Sequence, residues 1–206
     1  MNEILLQVGK KILFFDGAFG TALQSRGLPP GEPPELWNIT HPEAVRSIHE
    51  EYLTAGADIV SANTFGANRY KWNGRECTVE EVVNRAVALA QEAVKRSGRS
   101  AAVALDVGST GKLLEPMGDL AFEDAVQAFG ELVRAGVSAG VDCILIETMS
   151  DLYETKAAIL AAKENSSLPV FASLTFDGEG RLLTGGSLEA AAAVLEGLRV
   201  DGMGLN

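Results

Sequence analysis

Three acidic residues stand at the ends of short apolar runs, where their carboxyl groups could bind a cationic ligand. They are Asp16, Asp106 and Glu147. Asp is a common helix N-cap, so Asp16 and Asp106 fit a capping role as well as a functional one. Glutamate is a poor N-cap, and Glu147 in the sequence Ile-Glu-Thr is therefore predicted to serve function.

A glycine-rich turn directly follows Asp16. It consists of Gly17, Ala18, Phe19, Gly20 and Thr21. Two glycines in such a segment let backbone N–H groups point into one concavity before a helix begins, and that arrangement suits a carboxylate or a phosphate. A carboxylate receptor beside acidic groups is complementary to an α-amino acid. The alternative is a plain glycine turn without a ligand.

The elements that must position these residues alternate along the chain. Continuous apolar runs are typical of strands buried on both faces, and they are Ile12–Phe15, Ile59–Ala62, Ala102–Leu105, Cys143–Ile146, Val170–Leu174 and Gly202–Leu205. Amphipathic helical patterns lie between them, at Pro42–Ala55, Thr78–Ser97, Phe122–Ala139, Leu152–Glu164 and Leu188–Leu198. This alternation predicts an α/β fold with a parallel sheet.

A short motif recurs where a helical pattern passes into an apolar run. Its three copies are Ala55-Gly56-Ala57-Asp58, Ala139-Gly140-Val141-Asp142 and Arg199-Val200-Asp201. Repetition of one such unit favours a barrel or a doubly wound sheet. Because no GxGxxG fingerprint follows the first run, the (β/α)₈ TIM barrel is the preferred prediction over a six-stranded doubly wound sheet.

The barrel interpretation has two consequences. A closed barrel has eight strands, so residues 1–206 are expected to be one barrel domain that is incomplete at its C-terminus and contains about six βα units. The carboxyl ends of all barrel strands open onto one face, where active sites lie. Asp16, Asp106 and Glu147 are therefore expected to gather around one mouth.

Composition excludes several classes of protein. The formal net charge is −11, which argues against nucleic-acid binding because that function needs a basic surface. No apolar run approaches the roughly 20 residues of a membrane span, and the first ten residues do not read as a signal peptide. The only cysteines are Cys77 and Cys143, a sparse pair that indicates reduced thiols in a cytoplasmic protein.

The motifs together resemble the homocysteine S-methyltransferase domain, most closely the homocysteine-binding module of cobalamin-dependent methionine synthases. The resemblance spans essentially the whole chain. The matching segments are Phe15-Asp16-Gly17-Ala18-Phe19-Gly20-Thr21, Leu36-Trp37-Asn38, Ala62-Asn63-Thr64-Phe65-Gly66-Ala67, Asp106-Val107-Gly108-Ser109-Thr110-Gly111, Ile146-Glu147-Thr148, Leu174-Thr175-Phe176-Asp177, Gly185 and Gly204-Leu205-Asn206.

The resemblance implies a barrel that methylates the thiol of homocysteine to give methionine. In this family a zinc ion stabilises the substrate thiolate, and in methionine synthases the donor is methylcobalamin, loaded from methyltetrahydrofolate on other modules. Carried over by position, Asp16 and Glu147 would hold the substrate ammonium. The backbone of Gly17 to Thr21 would receive its carboxylate, and Asn63 and Thr64 would line the pocket. Betaine and S-methylmethionine are the donors in sister families.

One departure from the family pattern concerns the metal. The family's zinc ligands are three cysteines, the first directly after Gly-x-Asn, so here it would follow Asn206; neither Cys77 nor Cys143 matches a ligand position. We therefore expect this chain to be inactive alone and to expose unpaired barrel edges that favour self-association. Two alternatives stay open. One is a non-catalytic amino-acid-binding or assembly protein of this fold, and the other is an unrelated barrel enzyme such as an aldolase, which should carry a strand lysine.

Overall fold

The computed structural model describes residues 2–72 and 76–206. Within these residues the helices are α1 (Phe19–Gln24), α2 (Trp37–Thr40), α3 (Pro42–Ala55), α4 (Arg69–Trp72), α5 (Val79–Ser97), α6 (Phe122–Ala139), α7 (Leu152–Asn165) and α8 (Leu188–Gly197). The strands are β1 (Ile59–Ser61), β2 (Ala102–Val107), β3 (Cys143–Met149), β4 (Val170–Leu174) and β5 (Gly202–Leu205). Two short 3-10 helices lie at Leu5–Gln7 and Pro34–Leu36. Among the helices of the described residues, none combines the length and the apolar character that crossing a bilayer requires.

The strands form one parallel sheet in the order β1-β2-β3-β4-β5. A doubly wound sheet reverses its strand order at a switch point, and this sheet has no reversal. The doubly wound alternative is therefore wrong. Sequential parallel strands joined by helices are the arrangement of a partial TIM barrel.

The first predicted strand, Ile12–Phe15, is reduced to a single bridge between Phe15 and Ile59, so the sheet has five strands rather than six. The bridge itself is regular, because Ile59 donates to the Phe14 carbonyl (3.1 Å) and Asp16 donates to the Ile59 carbonyl (2.9 Å). The ladder stops there because the next backbone N–H of β1, that of Ser61, donates to the carboxylate of Asp16 (2.9 Å) instead of to a backbone carbonyl. The segment nevertheless lies beside β1, where it carries Asp16 to the sheet.

Alternate side chains of the sheet enter different environments. On β2, the outer face packs against the helices in the main core through Val103, Leu105 and Val107. The inner face holds Ala102 and Ala104, which pack with Ile59 and Cys143 in a separate cluster. Asp106 continues the inner row by the period-2 alternation of a strand. The same alternation places Leu145 and Glu147 of β3 on the inner face.

The helices follow the sequence patterns closely. α3 and α6 have the predicted bounds, and α5 begins one residue later than the predicted Thr78 because Thr78 is its N-cap. Thr78 and Glu81 form the predicted capping box. α3 and α6 are followed by the C-cap residues Gly56 and Gly140, whose left-handed conformations (φ 112° and 88°) favour glycine.

The aspartate of the recurrent motif has a repeated structural role. Each of these strand-foot aspartates donates its backbone N–H to the carbonyl of a residue in the preceding strand segment and accepts that residue's N–H on its carboxylate. The pairs are Asp58 with Phe14, Asp142 with Val103 and Asp201 with Val170, and the carboxylate oxygens lie 3.0, 2.9 and 2.8 Å from the accepted nitrogens. The motif therefore joins the amino-terminal ends of neighbouring strands.

Candidate functional site

A cavity of about 540 Å³ opens on the inner face at the carboxyl ends of the strands. Asp16, Asp106 and Glu147 all line it, so the predicted gathering of the three acids is present. The described residues that line this cavity include no Lys, Arg or His. The cavity is therefore acidic, and its remaining wall is largely apolar or small.

Asp16 is fixed at the rim through β1. Its backbone N–H donates to the carbonyl of Ile59 (2.9 Å), and its Oδ2 accepts from the N–H of Ser61 (2.9 Å). The helix-cap alternative does not apply, because the N-cap of α1 is Ala18. Burial raises the pKa of Asp16 to about 7; the Ser61 hydrogen bond lowers it and the charge of Glu147 raises it further.

Asp106 lies inside β2 rather than after it, so it is not a helix cap either. Its backbone is fixed on both sides by Thr64, whose Oγ1 accepts from the Asp106 N–H (3.1 Å) and donates to the Asp106 carbonyl (2.8 Å). The side chain is buried, and its Oδ1 has no hydrogen-bond partner among the described residues. Burial raises the pKa of Asp106 well above its usual range, and the charges of Glu147, Asp16 and Glu35 add to that rise.

Glu147 lines the cavity by the regular alternation of β3, directly before an irregularity in that strand. The pairing of β3 with β4 shifts register between Ile146 and Met149, and Thr148 adopts a left-handed conformation with φ 56°. Positive φ is an outlier for a β-branched residue, and such outliers cluster at functional sites. Asn206 Nδ2 donates to Thr148 Oγ1 (2.9 Å) beside it. Burial raises the pKa of Glu147.

The glycine-rich turn forms the wall next to Asp16. A Cβ atom at Gly17 would lie 2.9 Å from the hydroxyl oxygen of Tyr52, so any other residue there would have to displace the Tyr52 ring. The Tyr52 hydroxyl donates to the Ala18 carbonyl (3.1 Å) and holds the turn in place. No side chain caps α1, which leaves its first-turn N–H groups available to a ligand. Gly17, Ala18 and Phe19 line the acidic cavity.

A second cavity, of about 600 Å³, adjoins the first one and shares Ala18, Phe19, Asp106, Glu147 and Thr148 with it. Of the remaining predicted site residues, three line this second cavity and one lines neither cavity. Gly20, Thr21 and Asn63 line the second cavity. Thr64 lines neither one and instead fixes the Asp106 backbone.

Asn63 is held by neighbouring polar groups. Its side-chain nitrogen donates to the Pro34 carbonyl (2.8 Å) and to Asn38 Oδ1 (2.9 Å). Asn38 in turn donates to the Asn63 carbonyl (2.9 Å). The Asn63 nitrogen is therefore occupied within the protein, and its side-chain oxygen is the atom that remains for a ligand.

A comparison with protein families decides the relationship. The model of the homocysteine S-methyltransferase family matches residues 13–206, almost the whole chain. The chain belongs to the homocysteine S-methyltransferase family. The predicted resemblance is thereby confirmed.

Curated relatives include methionine synthases from two mycobacteria. The protein from Mycobacterium tuberculosis is 30% identical over 222 aligned residues, and the one from Mycobacterium leprae is 29% identical. Both alignments cover the whole of this chain but only 18% of the relative. This homocysteine S-methyltransferase domain therefore corresponds to a small part of those longer proteins.

Solved structures of the homocysteine methyltransferase MmuM from Escherichia coli share the fold. The metallated form superimposes with a TM-score of 0.84 at 22% identity and covers 100% of this chain and 78% of MmuM. The apo form gives a TM-score of 0.73 at 25% identity, covering 97% and 73%. The α/β architecture described above is thus that of a known family member.

A zinc ion in a protein is held by Cys, His and carboxylate ligands. Within residues 2–72 and 76–206, no three such side chains are arranged to hold a metal. Cys143 is buried on the inner face, and burial raises the pKa of its thiol to about 12, which disfavours a thiolate. The described residues therefore do not bring together a donor set that fits zinc.

Two residues of the site have no ligand-binding role that the sequence assigns. Asp106 is expected at the mouth, but its residue type leaves helix capping as an alternative. The signal that places it in the site is its spacing, since it shares the parity of Ala102 and Ala104 on β2. Thr148 gave no comparable signal, because nothing in its type indicates a positive φ.

Proposed function

We propose that this chain is the homocysteine-binding part of an enzyme that transfers a methyl group to the thiol of homocysteine, giving methionine. The observation that carries the proposal is the convergence of Asp16, Glu147 and the first part of the glycine-rich turn, residues 17–19, on one acidic cavity. Family membership supports the substrate class.

In this proposal the ammonium of homocysteine lies between the carboxylates of Asp16 and Glu147. These two acids repel each other in the empty cavity, since the charge of Glu147 raises the pKa of Asp16. A bound cation replaces that repulsion with attraction in a partly buried setting, where charge interactions are strong. The favourable free energy of binding therefore includes relief of the repulsion between Asp16 and Glu147.

The carboxylate of homocysteine is assigned to the backbone N–H groups of Gly17 to Thr21. Those amides are uncapped by side chains, and the turn is fixed by Tyr52. The two ends of the amino acid are then held on the side of the cavity nearest Asp16 and β3. The thiol-bearing side chain is left facing the wall formed by Phe171, Ser173 and Gly204. Asn63 and Thr64 complete the pocket, Asn63 directly and Thr64 by holding Asp106.

The parts of the reaction that this chain does not itself provide are proposed from the family and from the length of its relatives. The zinc ligands would be three cysteines that follow Asn206. The methyl donor would be methylcobalamin, loaded from methyltetrahydrofolate by further modules of a cytoplasmic protein. The sheet closes into a full TIM barrel in that longer protein. The 206-residue chain is then expected to bind homocysteine without transferring methyl groups.

Calorimetric titration of the chain under reducing conditions tests the amino-acid assignment. We expect L-homocysteine to bind at least about tenfold more tightly than its desamino analogue, because loss of the ammonium leaves Asp16 and Glu147 unpaired. The decarboxylated analogue should also bind more weakly, because it makes no contact with the turn. Equal affinity for homocysteine and its desamino analogue would show that the two acids do not bind the ammonium. A methyl-transfer assay with methylcobalamin provides the second readout, in which turnover by this chain would contradict the expected inactivity.

A further inference from the structure

We propose that Asp106 is a third carboxyl group of the amino-acid pocket and acts there as an uncharged acid. Its O–H donates to the carboxylate of Glu147, and its other oxygen accepts from the ligand's ammonium. Asp106 is thereby a specificity-determining residue, because its uncharged form reduces the excess negative charge around a bound ammonium from two to one. This inference rests on the function proposed above.

The first argument is the position of Asp106. It lies on the inner face of β2, lines both cavities and is only 6% exposed. Its Oδ1 has no partner among the described residues, and a buried carboxyl oxygen without a hydrogen bond is costly. Thr64 holds the backbone of Asp106 from both sides, which fixes the place of this residue in the cavity wall. A ligand in the cavity would supply the missing partner.

The second argument is the charge of the pocket. Asp16, Asp106 and Glu147 line one cavity in which no described lining residue is a cation. A single ammonium neutralises one negative charge, so three ionised acids would leave an excess of two charges in a buried space. Such an excess is relieved when buried acids share protons.

The charged groups around Asp106 do not supply another cation to the pocket. Glu147, Asp16 and Glu35 all act on it with the same sign. Lys71 lines the adjoining cavity, but its own electrostatic partners are Glu35 and Glu154.

The direction of the pKa shift agrees with this geometry. Burial, followed by the charges of Glu147, Asp16 and Glu35, raises the pKa of Asp106 well above its usual range. A protonated carboxyl group is both a donor and an acceptor. It can therefore connect Glu147 to a bound ammonium without adding charge, and an asparagine side chain has the same pattern of one donor group and one acceptor oxygen.

The test compares Asp106→Asn with Asp106→Leu in calorimetric titrations with L-homocysteine. Asp106→Asn reproduces the uncharged acid and should bind within about twofold of wild type. Asp106→Leu removes both hydrogen bonds at similar size and should bind about tenfold or more weakly. Titrations in two buffers of different ionisation enthalpy should show the same number of protons exchanged for wild type and Asp106→Asn. Thermal unfolding of each variant checks that it is folded.

Several outcomes would overturn the proposal. A large loss of affinity in Asp106→Asn would mean that Asp106 binds as a charged group. Wild-type affinity in Asp106→Leu would mean that it makes no contact with the ligand. Release of one more proton by wild type than by Asp106→Asn would show that Asp106 ionises on binding.

Infrared difference spectroscopy keeps this inference separate from the proposed function. The ligand-free wild type should show a carboxylic-acid carbonyl band that Asp106→Asn lacks, and absence of that band would refute the uncharged acid directly. If the band is present but wild type does not bind homocysteine, the proposed function and the ligand contact both fail while the uncharged acid stands.

Discussion

The two ends of the parallel sheet carry the same kinds of residue in different states. At the amino-terminal end, the strand-foot aspartates each accept a backbone N–H and donate their own. At the carboxyl end, Asp16, Asp106 and Glu147 line one cavity, and burial raises the pKa of all three.

The difference shows that the type of an acidic residue does not decide its role; the use of its oxygens does. A carboxylate whose oxygens are hydrogen-bonded by neighbouring strands stabilises the fold. A buried carboxyl group with an unused oxygen costs stability and is available to a ligand. Asp16 lies between these cases, since it accepts from Ser61 and also faces the cavity.

The largest expected effect is at the cavity end. Glu147→Gln should weaken L-homocysteine binding by about 2–5 kcal/mol, because it removes one partner of a partly buried charge pair. Its free energy of unfolding should not decrease, because a buried acid that repels its neighbours has been neutralised. Calorimetry and urea unfolding measure the two quantities. Unchanged affinity together with lower stability would mean that Glu147 stabilises the fold, as the strand-foot aspartates do, and does not bind the ligand.

The pH dependence of stability is the next test. The pKa of Asp16 is about 7 in the folded protein against an ordinary 3.8, so the folded state retains a proton that the unfolded state has lost between these values. Below pH 3.8 Asp16 is protonated in both states and does not lower the free energy of unfolding. As the pH rises toward 7, this one group should lower the free energy of unfolding by up to about 4 kcal/mol.

The control for that pH dependence is Asp16→Asn, which does not titrate. Glu147 and Tyr52 face Asp16 and remain in this variant, so the difference between the two proteins isolates Asp16. Urea unfolding at acidic, intermediate and neutral pH should give a shallower decline for the variant. Parallel curves for the two proteins would show that Asp16 does not carry the raised pKa.

A smaller effect is expected at the opposite end. Asp142→Ala leaves the Val103 N–H without its acceptor and should lower the free energy of unfolding by about 1–3 kcal/mol. Homocysteine affinity should stay the same. Asp142→Asn keeps an acceptor oxygen and should lose less. Weaker binding in Asp142→Ala at retained stability would show that the two ends are not separate in function.

The smallest effect concerns the turn that leads to the same end. Gly140 has φ 88°, so Gly140→Ala places a side chain in a left-handed conformation at a cost of about 1 kcal/mol. Gly197→Ala in α8 is the matched control, because a Cβ atom there meets nothing within 4 Å and the backbone φ is not positive. Thermal unfolding should show loss of stability only for Gly140→Ala. Equal effects would mean that backbone strain is not the cause.

The elements that the sequence predicted well are those with strong local determinants. The bounds of α3 and α6 follow from helical spacing and from the glycines that end both helices. The segment Ile12–Phe15 was wrong as a full strand, because its pairing depends on distant neighbours rather than on its apolar composition. The recurrent motif was found, but not the role of its aspartates, since each accepts a hydrogen bond from a residue at least 31 positions away.

The sequence predicted a site residue where its type or its immediate neighbours distinguished a functional role from helix capping. Glu147 stood out as a glutamate after a strand, and Asp16 stood out by its glycine turn. Asp106 stayed ambiguous because the apolar run ends at Leu105, whereas β2 continues to Val107. An acid that follows a strand can cap the next helix, whereas an acid within the strand can point into the pocket. The end of β2 is set by its pairing with β3, which the sequence of β2 alone does not show.

The irregularity at Thr148 has a consequence for how this pocket can vary. Beyond the paired residues Ile146 and Val107, the usual in-and-out sequence of side chains is interrupted, so Glu147 and Thr148 both reach the cavity while Met149 is buried in the helical core. The direction of Glu147 follows the regular alternation of the strand residues before it, and the irregularity after it adds Thr148 to the cavity. Removing one residue between Cys143 and Ile146 would turn the carboxylate away from the cavity and bring an apolar side chain there, even though every functional side chain remained in the sequence.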